Sequence, residues 1–305
     1  MIEAFGEVED STIDERDAFL LGNQGPDPLF FLLINPKMSS WRTLGSRMHK
    51  ERTTDLIAAL HRFVAMLDEY EQPIGNAYAQ GFLCHYMLDS MMHPLVYSRV
   101  YALCDAGVDN LTRNDAREVH AEIEREFDEM VLTAKRDQTI AEYPAVQNTL
   151  EASPETLAIV QKMYAYLALS LFGEQIPLQL FPTAVECYRI TLGATHSPLG
   201  IKRALAMLAE RQVRDHSYFG AIAHKAHKVH DSWFANTDHE QWPDPYSGAT
   251  RTESFWDIYR EALGRAAEAI AAFAEDTFTV DDARAITHDI NFSGASNVAT
   301  IVVHD

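Results

Sequence analysis

The sequence predicts an all-α protein, a single helical domain. Apolar residues recur at helical spacing along most of the chain, and strand signals are sparse. His and Asp interrupt the most apolar stretch at intervals of four residues.

In chain order, residues 54–67 place Leu56, Ile57, Leu60, Val64 and Leu67 on a 3.6-residue period. Residues 75–93 are almost wholly apolar apart from His and Asp, the pattern of a buried helix. Residues 113–135, 199–230 and 252–275 read as helices with polar faces. Ser153-Pro154-Glu155 reads as a helix start, with Ser as cap and Pro in the first turn, and that helix runs towards Gly173. Pro and Gly cluster in loops at 22–28, 173–182 and 242–248, and Ile301-Val302-Val303 is a lone strand signal. There is no internal repeat. One domain over 1–305 is the plain expectation, with 173–182 as the weaker alternative boundary and 280–305 as an irregular tail.

The 305 residues, 47% hydrophobic, suffice for a large core. Asp and Glu number 45 against 25 Lys and Arg, a formal charge of -20. That charge opposes long nucleic acids, whose affinity rests on Lys and Arg neutralising phosphates. It also opposes docking on anionic lipid. Cys84, Cys104 and Cys187 are odd in number and widely spaced, so they form no disulfide framework, and a reducing compartment follows. The first residues carry no basic segment followed by an apolar run, and no stretch approaches about 20 apolar residues. The expectation is a cytoplasmic protein without a transmembrane segment.

The chemistry centres on Cys84-His85-Tyr86-Met87-Leu88-Asp89-Ser90-Met91-Met92-His93-Pro94. Spacing by four puts His85, Asp89 and His93 on one helical stripe, each neighbouring pair within about 6 Å. Buried polar groups need partners, and a metal ion satisfies all three together; a core network of His–Asp hydrogen bonds is the alternative. His120 and Glu124 repeat the spacing in His120-Ala121-Glu122-Ile123-Glu124, a pair that also occurs on ordinary solvated faces. Asp27 sits between Pro26 and Pro28, so its backbone is restricted and its carboxylate pre-positioned. His49 has no local signature. These seven residues exceed one tetrahedral site, so at least two ions are implied, and nitrogen and carboxylate donors without thiolate suit zinc, with Mn or Fe as substitutes.

The ordered set resembles the bacterial zinc-dependent phospholipase C family, which includes the clostridial α-toxin catalytic domain, and more remotely the S1/P1 nucleases of the same fold. The resemblance rests on Asp27, His49, His85-x3-Asp89, His93-Pro94 and His120-x3-Glu124, and is firm over residues 18–130. Gly25-Pro26-Asp27-Pro28, Gly81-Phe82-Leu83-Cys84-His85-Tyr86 and Trp242-Pro243-Asp244-Pro245 are similar to one bacterial branch of it. The resemblance implies an all-α fold in which Asp27, His49, His85 and Asp89 hold one zinc and His93, His120 and Glu124 a second, with Asp89 also reaching a third. It implies a phospholipase C-like phosphodiesterase: a zinc-activated water attacks the phosphorus of a phosphate ester or phospholipid headgroup, and Asp27 orients or deprotonates that water. The family's third zinc takes the N-terminal amine and a nearby His. No His precedes His49 here, so that site is either missing or completed by residues upstream of Met1.

A non-catalytic zinc protein with a structural site is the rival reading. An HD-type phosphohydrolase would need an adjacent His-Asp pair, and His230-Asp231 and His288-Asp289 match by letter only. His224-x2-His227-x2-His230 steps by three and drifts around a helix, so it reads as a polar face. Residues 236–242 read as a surface loop, or less readily as a substrate entrance.

Overall fold

The computed structural model describes residues 11–107, 111–140, 142–195 and 227–297. Helices dominate it, and the protein is all-α. The chain divides into two compact units, neither contiguous in sequence: residues 1–91, 148–189 and 259–305, and residues 92–147 and 190–258. The stretch 173–182 lies inside the first unit, and its last three residues are already helical.

In the first unit, helix α1 (Ile13–Gly22) starts where Thr12 accepts a hydrogen bond from the Glu15 backbone N–H, with Asp14 and Glu15 in the first turn. A 3-10 helix (Asp27–Ile34), α2 (Arg42–Lys50) and α3 (Thr53–Met66) follow. Helix α4 (Gln72–Cys104) begins in this unit and ends in the second, taking in the whole apolar 75–93 stretch. Between α1 and α4 the backbones touch at two glycines. A Cβ on Gly22 would lie 2.2 Å from the Tyr78 carbonyl oxygen, and one on Gly81 2.1 Å from that of Phe19. No other residue permits that approach, and it brings the turn after α1 against α4.

Helix α2 packs on the 3-10 helix. Helix α3 packs on two later helices, α7 (Pro154–Phe172) and α10 (Val280–Thr287). As the sequence predicts, Ser153 caps α7, with Pro154 at its first position and Gly173 left-handed (φ 69°) at its end. Leu29, Leu56, Leu60, Phe82, Met163 and Leu167 are fully buried in this unit's core.

The second unit holds the end of α4, helix α5 (Ala116–Arg136) and a two-stranded hairpin, β1 (Trp242–Pro243) with β2 (Thr250–Arg251). In α5, Arg125 and Glu129 form an ion pair at 3.0 Å with both side chains 2% exposed. Asn236, left-handed at φ 53°, donates to the carbonyls of Glu240 and Thr252 and accepts from Arg99 at 2.7 Å. Helix α6 (Ala145–Thr149) straddles the two units, as do α8 (Leu180–Thr195) and α9 (Phe255–Phe273).

Three expectations need correction. Residues 280–287 are helical, so the irregular stretch starts later: Thr279 and Asp282 form a reciprocal cap that nucleates α10. The 242–248 loop is largely the turn of the hairpin, because Asp244 Oδ1 accepts from the Tyr246 and Ser247 N–H groups. The helix predicted over 199–230 does not include 227–230, which are irregular. Most of that span, with His224, lies outside the described residues, as do the 301–303 strand signal and Phe5-Gly6-Glu7. No helix among the described residues is long and apolar enough to cross a membrane.

Candidate metal centre

The turn that delivers Asp27 is fixed from both sides. Gly25 is left-handed (φ 50°), and a Cβ there would lie 2.1 Å from Cδ2 of His85. Its carbonyl accepts from the Tyr164 hydroxyl at 2.8 Å and the Tyr78 hydroxyl at 3.3 Å, and the two hydroxyls are 3.0 Å apart. Burial pushes both phenols well up, so they act as hydrogen-bond donors rather than acids. Asp27 then opens the 3-10 helix with its side chain 37% exposed.

His49, near the end of α2, places Nε2 3.0 Å from Asp27 Oδ1. Its Nδ1 lies 2.8 Å from the Gly45 carbonyl oxygen. A carbonyl only accepts, so that contact puts a proton on Nδ1: in the protonated ring Nε2–H donates to Asp27, and in the neutral ring Nε2 carries the lone pair, the tautomer a metal takes. Burial alone would lower the His49 pKa. The hydrogen bond and charge of Asp27, the charge of Asp89 and the Gly45 carbonyl outweigh it and raise the value above 6.5.

His85 is 6% exposed on α4. Its Nε2 is 3.4 Å from Asp89 Oδ2, and this buried nitrogen makes no hydrogen bond among the described residues. A buried imidazole nitrogen that faces a carboxylate without a hydrogen bond to it fits a metal ligand. Asp27, His49 and His85 form one compact cluster, its ligand atoms all within 4.8 Å of one another, with Asp89 beside it.

In the second unit, His93 on α4 and His120 and Glu124 on α5 form another such cluster. Nε2 of His120 lies 2.9 Å, and Nε2 of His93 3.2 Å, from the same Glu124 oxygen, Oε1. Desolvation alone would raise the Glu124 pKa, but His120 and then His93 hold it far below the usual carboxylate range. The Tyr97 ring packs on both imidazoles, at 4.9 Å from His120 and 5.7 Å from His93.

Donors arranged tetrahedrally about 2.0–2.1 Å from a zinc ion are about 3.3 Å apart. The pairs His49–Asp27, His85–Asp89, His93–Glu124 and His120–Glu124 stand 2.9–3.4 Å apart, close to that edge, and all the donor atoms of each cluster lie within 4.8 Å of one another. The chemistry fits as well: the donors are imidazole and carboxylate only. Cys84, next to His85 in sequence, turns away into an apolar space lined by Leu88 and Tyr259, and burial pushes its thiol up to about 12.

All seven residues singled out in the sequence therefore lie in or beside two clusters, and no third cluster of this kind occurs among the described residues. Four supporting groups escaped sequence reasoning: Tyr78, Tyr164, the Gly45 carbonyl and Phe292, whose ring lies 4.9 Å from that of His49 and 5.7 Å from that of His85. Only Tyr78 left a signal, standing two helical turns before His85 on the same face of α4. No protein-family model, curated protein or solved structure matches the chain.

Proposed function

We propose that this protein is a zinc-dependent hydrolase of phosphate esters. The observation that carries the reading is the make-up of the two clusters. Each offers three protein donors, and in each the carboxylate reaches solvent, Asp27 at 37% and Glu124 at 46% side-chain exposure. Structural zinc sites close with four protein ligands, whereas catalytic ones keep a position open. The order of the seven residues along the chain, similar to that of the phospholipase C family, supports phosphate esters as the substrate class.

In this reading Asp27, His49 and His85 hold one ion, with Asp89 beside them, and His93, His120 and Glu124 hold the other, so that each ion keeps a position open. When bound, zinc supplies a water of lowered pKa and positive charge for the phosphate oxygens. Asp27 orients the attacking water and takes its proton, since it is the most exposed group of its cluster and is fixed by the Gly25 turn. Protonated Nδ1 of His49 keeps Nε2 directed at the ion. The acidic chain restricts substrates to small esters or lipid headgroups rather than long nucleic acids.

The test is metal analysis of purified protein followed by hydrolysis of bis(4-nitrophenyl) phosphate and 4-nitrophenyl phosphate. Zinc-loaded protein should turn over one of these, chelation should stop it, and Asp27→Asn should lose most of the rate while retaining much of the metal. Fully loaded protein inactive on every ester would replace this reading with a structural zinc protein.

A further inference from the structure

The segment after α10 is built around the first cluster. His288 and Asp289 are both left-handed, at φ 48° and 53°. Two consecutive residues other than glycine in that region are costly and need surroundings that hold them. The Asp289 carboxylate accepts from the Thr54 hydroxyl at 2.8 Å, and its backbone carbonyl accepts from the Asn297 N–H at 2.7 Å. The chain then doubles back through Asn291, whose side-chain oxygen accepts from the Ser293 and Ala295 N–H groups.

This tied turn acts on α2 where α2 carries a cluster residue. The Phe292 N–H donates to the His49 carbonyl at 3.2 Å, and the Asn297 amide reaches the Lys50 carbonyl at 2.6 Å. Both carbonyls stand at the C-terminal end of α2, where no helical N–H follows to meet them. The Phe292 side chain, fully buried, lies among four rings: His49, His85, Tyr86 at 5.0 Å and Phe82 at 5.9 Å. The Tyr86 hydroxyl in turn donates to the Ile290 carbonyl at 2.9 Å.

We propose that residues 288–297 form the retaining wall of the first metal site, with Phe292 the positioning residue that fixes the imidazoles of His49 and His85 and sets how slowly the metal leaves. The inference rests on reading Asp27, His49 and His85 as a metal site. Its physical basis is that an imidazole turns about its last side-chain bond unless something packs against it. Here the same ring packs against both, and it excludes water from that side.

The experiment follows zinc release from the loaded full-length protein into a coloured chelator. Wild type, Phe292→Ala and Phe292→Leu are compared, with His85→Ala and His120→Ala assigning each release phase to a cluster. Phe292→Leu keeps most of the apolar volume and serves if the alanine variant folds poorly. The phase assigned to the first cluster should quicken by about 10–100-fold, the usual effect of removing a group that orients a metal ligand. The phase assigned to the second cluster should not change, and metal-free Phe292→Leu should keep the far-ultraviolet circular dichroism of wild type. Unchanged release, or equal quickening of both phases, would overturn the wall. Retention of two zinc ions by His85→Ala would instead remove the metal site itself and the wall with it.

Discussion

The cluster of the first unit and that of the second use the same donor chemistry with different support. Asp27, His49 and His85 come from three separate segments, and each is fixed by contacts outside the cluster. The Gly25 turn is held by two tyrosines, the His49 ring by the Gly45 carbonyl, and both imidazoles by Phe292. His93, His120 and Glu124 come from two helices, and both imidazoles converge on one Glu124 oxygen. A site held from outside keeps its shape whether or not an ion is present. A site held through its own donors reorganises when the ion leaves. The first should therefore bind tightly and release slowly, and the second should exchange more readily.

The largest expected effect breaks the first cluster outright. His85→Ala should lose one zinc per chain and, for an ion present at about 1,000 times its dissociation constant, about 4 kcal/mol of stability. Gly25→Ala should do nearly the same without touching a donor, because its Cβ would fall 2.1 Å from His85 Cδ2 at a backbone angle unsuited to alanine. Metal content and thermal unfolding check both. A Gly25→Ala protein with full zinc would mean that the turn is looser than its hydrogen bonds indicate.

Next in size is the second cluster. Glu124→Gln retains shape and removes charge, and should lose the second zinc with a smaller fall in stability than His85→Ala, since that carboxylate is nearly half exposed. Titration of the wild type with a chelator of graded strength should empty the second cluster first. Release in the opposite order would show that support from surrounding residues does not decide affinity here.

The sequence made much of this legible and left a definable remainder. Four-residue spacing in an apolar helix located His85, Asp89 and His93, and the same spacing marked His120 and Glu124, because a helix converts that interval into adjacency. Prolines marked Asp27 as rigid. His49 carried no local signal, since what makes it a member is tertiary: an Asp 22 positions earlier reaches it through the packing of the 3-10 helix on α2. Phe292, Tyr164 and Gly45 were invisible for the same reason. Their roles depend on contacts at separations of 243, 139 and 4 residues, the last through a backbone carbonyl that any residue type would provide. The helix at 280–287 was missed because its signal is a Thr279–Asp282 cap on a short segment rather than a long apolar period.

Proton linkage separates the clusters further. The folded pKa of His49 lies above 6.5 through its contact with Asp27, so in metal-free protein that pair adds stability fully present below pH 6.5 and lost as pH rises through the folded value. Zinc demands the neutral ring, so occupancy of the first cluster at limiting metal should rise with pH across that same window. Metal-free and zinc-loaded protein should thus respond to pH in opposite directions from pH 6.5 up through the folded value. Asp27→Asn should flatten the metal-free curve. A metal-free protein equally stable across this window would show that the Asp27–His49 pair contributes nothing.

The smallest effect tests whether outside support reaches the metal at all. Tyr164→Phe removes one hydroxyl from the Gly25 carbonyl and leaves the longer 3.3 Å bond from Tyr78 in place. The Tyr164 ring should keep its stack on Phe181, whose centroid is 4.4 Å away, so packing is preserved and the loss should be about 1 kcal/mol. If the Gly25 turn positions Asp27 for the first ion, zinc affinity there should fall several-fold while the second cluster is unaffected, because Tyr164 and Gly25 both belong to the first unit. Tyr78→Phe should act in the same direction but more weakly, and the double variant should exceed the sum of the two, since each hydroxyl partly replaces the other at one carbonyl. Stability lost without any change in zinc affinity would confine the tyrosine pair to folding and take the Gly25 turn out of the positioning of Asp27.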